Sequence, residues 1–352
     1  MAITSATHQG NNFDFIRIVA ASMVLYSHHY ALTGQMEPSF FGLYSLGGLA
    51  VVIFFIISGY LVMNSWWKDP NVLRFSLRRF LRIWPALTFV VVLTAYGLGT
   101  WMTELPARQY LEHGATSDYL RTLWMEIHYV LPGVFTHNPY PSGVNGSLWT
   151  IPYEVRCYIV LGIAGTLGLL KFRPVLLLCV AAFMAWFLSR SNADITGVTN
   201  YGRELSAFFL AGVSVCALEI YWRRNPLLWG TGVLLSFVIA WLAGWRHTAM
   251  LIGLPFLIIY AGTLATPIIR RAGRWGDPSY GIYLFAFPIQ QVVIFYTWPN
   301  LGFTGTLCLA ALLTITLAYA SWHLIEKQAI KLKPRKPRVQ HSAENIQARF
   351  TT

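Results

Sequence analysis

The apolar positions of this chain fall in long unbroken blocks. They show neither the period-two alternation of half-buried strands nor the one-sided stripe of a soluble helix. About ten blocks approach twenty residues: 13–32, 43–64, 80–101, 149–170, 174–190, 203–221, 226–244, 248–267, 279–297 and 302–325. A helix of that length carries its own backbone hydrogen bonds across hydrocarbon, which no open strand can do. The pattern predicts an all-α integral membrane protein with about ten transmembrane helices. The fifth block is short, and Pro152 and Pro288 interrupt the fourth and ninth.

Composition sharpens this picture. Charged residues make up 11% of the 352 and hydrophobic residues 55%, where a soluble domain carries about 25% charged residues. The 14 Trp, 18 Tyr and 22 Phe suit aromatic belts at lipid headgroups. A net charge of +12 raises the question of nucleic acid, and the placement of the bases answers it. With the N-terminus in the cytoplasm, the inner segments hold Lys68, Arg74, Arg78, Arg79, Arg82, Lys171, Arg173, Arg223, Arg224, Arg270, Arg271, Arg274 and seven bases from Lys327 to Arg349. The outer segments hold Arg108, Arg121, Arg190, Arg203 and Arg246. Nineteen against five satisfies the positive-inside rule with both termini cytoplasmic. The charge is topological, and no nucleic-acid partner is expected.

One transmembrane domain, 1–330, is therefore expected, followed by a basic tail, 331–352, that faces anionic membrane lipid. The connection 102–148 lies outside, and its aromatic, Pro and Gly content marks it as functional. Cys157, Cys179, Cys216 and Cys308 sit in apolar runs without metal or redox spacing and read as reduced packing residues. No cleavable signal peptide is visible, because the first block contains Asp14, Arg17 and His28. No internal repeat is evident.

Ionisable residues inside hydrocarbon are expensive and need a reason. Arg17 and His28 are three helical turns apart, so they share a face ~16 Å apart along the axis. They can line a shaft with a cation at its inner mouth and a base at depth; alternatively, Arg17 snorkels and His28 marks the outer helix end beside His29. Arg79 and Arg82 share a face, with Arg78 close by. They suit bidentate phosphate binding or anchor the third span. Glu154 follows Pro152 near the outer boundary and can orient a histidine, bind a hydroxyl or serve a structural ion pair. On a helix it points away from Arg156, so the two need different partners. Gly59 reads as a close helix contact, and Tyr280 and Tyr283 as inward hydroxyls or packing. His323 and Glu326 read as interfacial. No Walker loop, GxSxG elbow or HExxH is present, and no metal is expected.

Taken together, these segments resemble the acyltransferase-3 family of multi-pass bacterial membrane O-acyltransferases, from residue 13 to about 325. Phe13-Asp14-Phe15-Ile16-Arg17 followed by Ser27-His28 is similar to the family's first-helix pattern. Phe54 to Leu61 resembles FFxxSGYL, Arg79-Phe80-Leu81-Arg82 with Pro85 the inner RxxR motif, and Gly146-Ser147-Leu148-Trp149 through Glu154 the LWxxxxE segment. Ser279 to Pro288 resembles SYxxYL. Many members carry a histidine shortly after it; here Phe285-Ala286-Phe287-Pro288 stands in its place, and no catalytic role rests there.

The resemblance implies transfer of an acyl group, usually acetyl, from cytoplasmic acyl-CoA. The acceptor would be a hydroxyl of a cell-surface glycan or lipid-linked saccharide outside the bacterial inner membrane. It implies Arg79 and Arg82, with Arg78 and Arg17, on the CoA phosphates. His28 would be general base, and Glu154 would orient His28 or the acceptor. Asn145, Trp149, Tyr153 and Tyr280 are the candidate substrate-binding residues. The chain ends about 25 residues after its last block, so it either completes the reaction or passes acyl groups to a separate extracytoplasmic acyltransferase. The principal rival is a proton-coupled transporter, which would bind or move substrate without consuming acyl-CoA; a scaffold without turnover is the other.

Overall fold

A computed structural model describes residues 10–191 and 200–334. Each of the ten apolar blocks holds a helix: α1 (Phe13–Leu32), α2 (Leu46–Lys68), α3 (Val72–Val92), α4 (Ile151–Thr166), α5 (Arg173–Ser191), α6 (Tyr201–Ala217), α7 (Pro226–Leu242), α8 (Arg246–Thr263), α9 (Ser279–Thr297) and α10 (Gly302–Ser321). Strand is confined to one antiparallel pair among the described residues, Ser39–Phe40 with Tyr44–Ser45. Five helical stretches are long and apolar enough to cross a bilayer by length and composition: Leu46–Lys68, Val72–Met102, Arg173–Arg190, Ser279–Thr297 and Gly302–Lys331. The chain is an all-helical, multi-pass membrane protein. Its two ends are called here the basic end, where α2 meets α3, and the loop end, which carries 103–145.

α2 is the axis of the bundle, packing on α1 and α6, with Ile56, Ile57 and Met63 sealed from solvent. It approaches α6 without side chains between the backbones. A Cβ on Gly59 would collide with the Phe209 carbonyl, and one on Gly212 with the Ile56 carbonyl. Small residues allow this contact between lipid-embedded helices. On its other side Gly47 meets Ser27, with Cβ positions about 3.2 Å apart. Antiparallel to α1, α2 therefore returns to the level of Arg17 near Ser58, eleven residues further on.

Several boundaries differ from the apolar blocks for definable reasons. α3 begins at Val72, ahead of the block at 80, because Asn71 caps it by accepting from the Arg74 amide at 3.0 Å. The arginines thus ride on the first turns of a helix and not on a loop. Pro152 does not interrupt α4: it sits in the first turn, where its missing N–H costs nothing. A 3-10 turn, Gly146–Thr150, leads into it. Pro288 does lie within α9. The cysteines are free, but only Cys157 and Cys216 are buried; Cys179 and Cys308 face outward, so for them packing inside the chain is not the explanation.

The segment 103–145 is folded, with short helices Ala107–Glu112 and Gly114–Asp118. Tyr110, Tyr119 and Phe135 are its fully buried anchors, and Tyr110 donates to the Ala95 carbonyl at 2.6 Å. Gln291 of α9 clamps its far limb, donating to the carbonyls of Tyr140 (3.0 Å) and Gly143 (2.5 Å). Asn138 in turn donates to the Gln291 side-chain oxygen at 2.7 Å and its backbone carbonyl at 3.0 Å.

Candidate active site

Five arginines converge at the basic end, four of them held by carboxylates. Asp69, in the α2–α3 turn, takes Arg74 (2.8 Å) and Arg78 (2.6 Å). Those two hydrogen bonds hold its carboxyl far below the usual range. Arg78 is thereby drawn to the α2–α3 turn and does not line the cavity described below, which separates it from the other two of its helix. Asp277, two residues before α9, accepts on one oxygen from both Arg17 (3.3 Å) and Arg82 (3.1 Å). Its other oxygen accepts from the Ser279 hydroxyl at 2.5 Å. Burial pushes its carboxyl up, but the two arginines and Ser279 hold it below the usual range. Arg17 also pairs with Asp14.

Glu326 corrects a sequence expectation. It is not interfacial but buried, at 2% exposure, 3.7 Å from Arg82 and 3.3 Å from the Ser321 hydroxyl, which donates to it. The cause is the π-helical turn Trp322–Glu326. The extra residue per turn rotates Glu326 away from the face it would share with His323.

Arg79 differs from its neighbours. Among the described residues it forms no salt bridge, its guanidinium lies over the rings of Tyr158 (5.7 Å) and Phe75 (6.0 Å), and its Nε is buried without a hydrogen-bond partner. The Nε atoms of Arg17 and Arg78 share that condition. Buried donors without acceptors are costly, and an anion at this mouth would satisfy them.

Inward of these groups opens a cavity of about 130 Å³. Its polar lining comprises Arg17, Arg79, Arg82, Ser58, Glu154, Tyr158 and Tyr280 at one level. Ser58 donates to Glu154 at 3.2 Å and lies 2.9 Å from the Tyr158 hydroxyl, which itself donates to Glu154. Tyr280 stacks with Arg82 (5.5 Å) and donates to the Ile83 carbonyl. Glu154 therefore does not orient His28. α4 starts late, at Ile151, and runs towards the basic end, which carries Glu154 down to the arginine level. Arg156 points elsewhere, over the Tyr153 ring, so the two do have different partners.

The ceiling of the cavity is Phe54, Thr150 and Tyr283. The Tyr283 hydroxyl donates to the Ser147 carbonyl at 2.5 Å, lies 2.6 Å from the Thr150 hydroxyl, and its ring meets Phe54 edge-on at 6.1 Å. His28 lies beyond this ceiling. Its ring meets Phe287 edge-on at 5.4 Å, one turn or ~6 Å past Tyr283 along α9. Arg17 and His28 thus do not line one continuous shaft: Arg17 lines the chamber and His28 does not. His28 Nδ1 is buried without a hydrogen-bond partner. A carboxylate, Glu37, is held nearby by the hydroxyl of Ser27, the residue before His28. His29 is structural, bonded to Thr306 (3.0 Å) and Gln290 (3.3 Å) and fully buried.

Of the remaining candidates, only Tyr280 lines the chamber. Asn145 is buried, donates to the Leu284 carbonyl at 2.9 Å and caps the 3-10 turn. Trp149 and Tyr153 form an aromatic cluster with Tyr201 away from the cavity. Asp277, Ser58, Tyr158, Glu37 and Gln291 were missed. Ser58 lay within an apolar motif, and Asp277 in a short loop outside every apolar block.

The architecture is that of a multi-pass membrane protein with an arginine-mouthed internal chamber, as an enzyme handling an anionic substrate at a membrane requires. The match to known proteins specifies it: the acyltransferase-domain family, acyltransferase-3, matches residues 11–323. The chain belongs to that family and is a membrane O-acyltransferase. It is 33% identical over 338 residues to the O-acetyl transferase of Shigella phage Sf6, covering 91% of this chain and 96% of that one. It is 29% identical to Nodulation protein 10 of Rhizobium leguminosarum bv. viciae, covering 92% and 94%. It is also 28% identical to the peptidoglycan O-acetyltransferase OatA of Listeria monocytogenes, covering 80% of this chain but 51% of that protein. No solved structure matches the chain. Membership decides for the enzyme against the transporter and the scaffold.

Proposed function

We propose that this protein is an O-acetyltransferase of the bacterial inner membrane. It would take acyl groups from cytoplasmic acyl-CoA at the basic end and deliver them to a hydroxyl of a cell-surface glycan or lipid-linked saccharide at the loop end. In this reading the ten helices all cross the bilayer and both termini are cytoplasmic. The domain is a single unit over 1–330, with the basic tail 331–352 on anionic lipid. The observation that carries the proposal is Arg79, a half-buried cation that forms no salt bridge among the described residues, at the mouth of the chamber beside Arg17 and Arg82.

CoA phosphates would occupy that mouth. Arg79 and Arg82 would bind them, with Arg17, while Arg78 acts from the rim through its field. The uncharged pantetheine arm would enter the chamber past Ser58, Tyr158 and Tyr280. The ~16 Å between Arg17 and His28 is a distance an extended arm can span once Tyr283 yields. His28 would take the proton of the acceptor hydroxyl as its oxygen attacks the thioester carbonyl; the C–S bond would then break, and the departing CoA thiolate would take up that proton to leave as the thiol. Glu154 would act on the donor side, setting Ser58 and Tyr158. The names of the relatives, among them O-acetyl transferases, support acetyl as the group moved. A separate extracytoplasmic acyltransferase remains the alternative recipient.

The test uses protein in nanodiscs with radiolabelled acetyl-CoA and a panel of bacterial glycans, following CoA release and label on the glycan. Wild type should release CoA only with an acceptor present, and His28→Gln should lose about two orders of magnitude or more in rate. Folded His28→Gln protein with full transfer would remove the base assignment.

A further inference from the structure

The loop end contains a feature that the donor-side reading leaves unused. His28 keeps part of its surface accessible although it does not line the arginine-mouthed chamber. On one side of His28 is Phe287, and against Phe287 lies the ring of Tyr140, edge-on at 6.0 Å. Tyr140 is 45% exposed, an aromatic face presented outward directly above the ring that packs on His28. Glu37, partly accessible, is held by Ser27, the residue that precedes His28.

The protein fixes Tyr140 at some cost. Gln291, fully buried, spends both amide hydrogens on the Tyr140 and Gly143 carbonyls and its oxygen on Asn138. Asn138 is itself buried. A polar network buried this completely specifies one position for the segment it holds. Neighbouring Ser142 takes a left-handed backbone (φ 61°) to complete the turn. Surface loops are not ordinarily pinned this way, and here the pinned element is the one that carries an exposed ring towards His28.

We infer that Tyr140 and Glu37 form the acceptor subsite: a sugar stacks its apolar face on Tyr140, hydrogen-bonds a hydroxyl to Glu37, and presents its reacting hydroxyl to His28. The inference rests on the acyl-transfer reading and adds where and how the saccharide binds. A rigid aromatic face with a few convergent polar groups is what a largely uncharged, ring-shaped ligand needs. No arginine or lysine takes part, so the subsite favours neutral sugars over polyanions. Tyr140 acts as a binding residue, and Gln291 acts only through it, as a positioning residue.

The test is equilibrium binding of soluble oligosaccharide fragments of peptidoglycan and of O-polysaccharide to the full chain in nanodiscs, beside CoA binding to the same samples. For the fragment that wild type binds best, Tyr140→Ala should weaken binding on the order of tenfold. Tyr140→Phe should keep it, and CoA affinity should stay at the wild-type value in both. Gln291→Leu should weaken oligosaccharide binding while Tyr140→Phe in the same background restores nothing. Steady-state assays should show the loss in the KM for glycan and not in the KM for acetyl-CoA. Unchanged oligosaccharide affinity in Tyr140→Ala, or equal loss of glycan and CoA affinity, would overturn the subsite. Wild type that binds no saccharide overturns it too; absence of acyl transfer alongside intact Tyr140-dependent binding would instead count against the reaction and leave the subsite standing.

Discussion

Asp277 gives a prediction in which stability and ligand response move in opposite directions. One of its oxygens serves both Arg17 (3.3 Å) and Arg82 (3.1 Å), in a site where the three side chains are 15%, 21% and 10% exposed, Asp277 the least. At an effective dielectric near 20 each contact is worth roughly 5 kcal/mol before the cost of burial. Asp277→Asn keeps the shape and removes the charge. It also uncovers the repulsion between the two guanidinium groups that share that oxygen. Asp14 still holds Arg17 and Glu326 still faces Arg82, so the net loss should fall at the lower edge of the range for a broken buried pair, about 3 kcal/mol. In a thermal-unfolding assay in detergent that is a drop of about 5 °C. CoA should then raise the unfolding temperature of the variant by more than it raises that of wild type, because the ligand's phosphates replace the missing anion. Above the ordinary carboxylate value of 3.8 Asp277 is ionised in both folded and unfolded chains, so the difference should persist at every pH above that and vanish only in strong acid. A variant that unfolds at the wild-type temperature, or that gains less from CoA than wild type, refutes the arrangement.

Gly59→Ala would drive a methyl group into the Phe209 carbonyl and should cost 1–3 kcal/mol with loss of activity, through displacement of Ser58; Gly232→Ala, which meets open space, should leave the unfolding temperature unchanged. Burial, and then the charges of Arg82, Arg79, Arg17 and Arg78, push the Lys333 ammonium down to about 7, so at pH 8 it is mostly uncharged. CoA binding at pH 8 should therefore be accompanied by proton uptake, seen as a calorimetric enthalpy that depends on buffer, absent in Lys333→Met and fading at pH 6, where Lys333 is already charged. Tyr283→Phe loses the bonds to Ser147 and Thr150 and should raise CoA release in the absence of glycan, because the ceiling between chamber and His28 then opens unprompted; release no faster than wild type would show that these bonds do not hold the ceiling.

The helices and the charged lining of the chamber were legible in the sequence because charge in an apolar block is conspicuous. Arg17, Arg79, Arg82 and Glu154 each stood out against hydrocarbon, and all four line one chamber. Axial distance was legible too, since 1.5 Å per residue along α1 follows from the chain alone. What lies between two points on that axis was not. The wall made by Phe54 and Tyr283 consists of aromatic residues that look like any other packing residue, and only the hydrogen bonds of Tyr283 to the 3-10 turn reveal it. Glu154 reads as close to the outer boundary because its apolar block begins at 149; the helix begins at Ile151 with Pro152 in its first turn, and Glu154 lines the same chamber as the arginines. Glu326 was misjudged for a related reason: a π-turn changes which residues share a face, and no simple period announces it. Asp277 sits between apolar blocks, where a carboxylate attracts no notice until two arginines from other helices reach it.

The separation of the arginines from His28 has an electrostatic logic of its own. Acyl-CoA is a polyanion joined to a long neutral arm, and the two parts want different surroundings. In the proposed reading the phosphates would find unpaired Nε donors and a field set by several cations at the arginine level. Beyond Phe54 and Tyr283 no arginine or lysine contacts His28 among the described residues, and a carboxylate, Glu37, is held by the neighbouring Ser27. Phosphates would be repelled from that compartment while the thioester would not. The gradient of charge along α1 would therefore admit the arm only as far as its uncharged portion reaches and would place the acyl carbon against His28 without any group that grips the acyl chain itself. Moving that gradient, by placing a cation near Glu37, should let the nucleotide end slide inward and misplace the thioester, so a Met36→Arg protein, changed at an exposed neighbour of Glu37, should bind CoA at least as tightly as wild type and transfer acyl groups far more slowly.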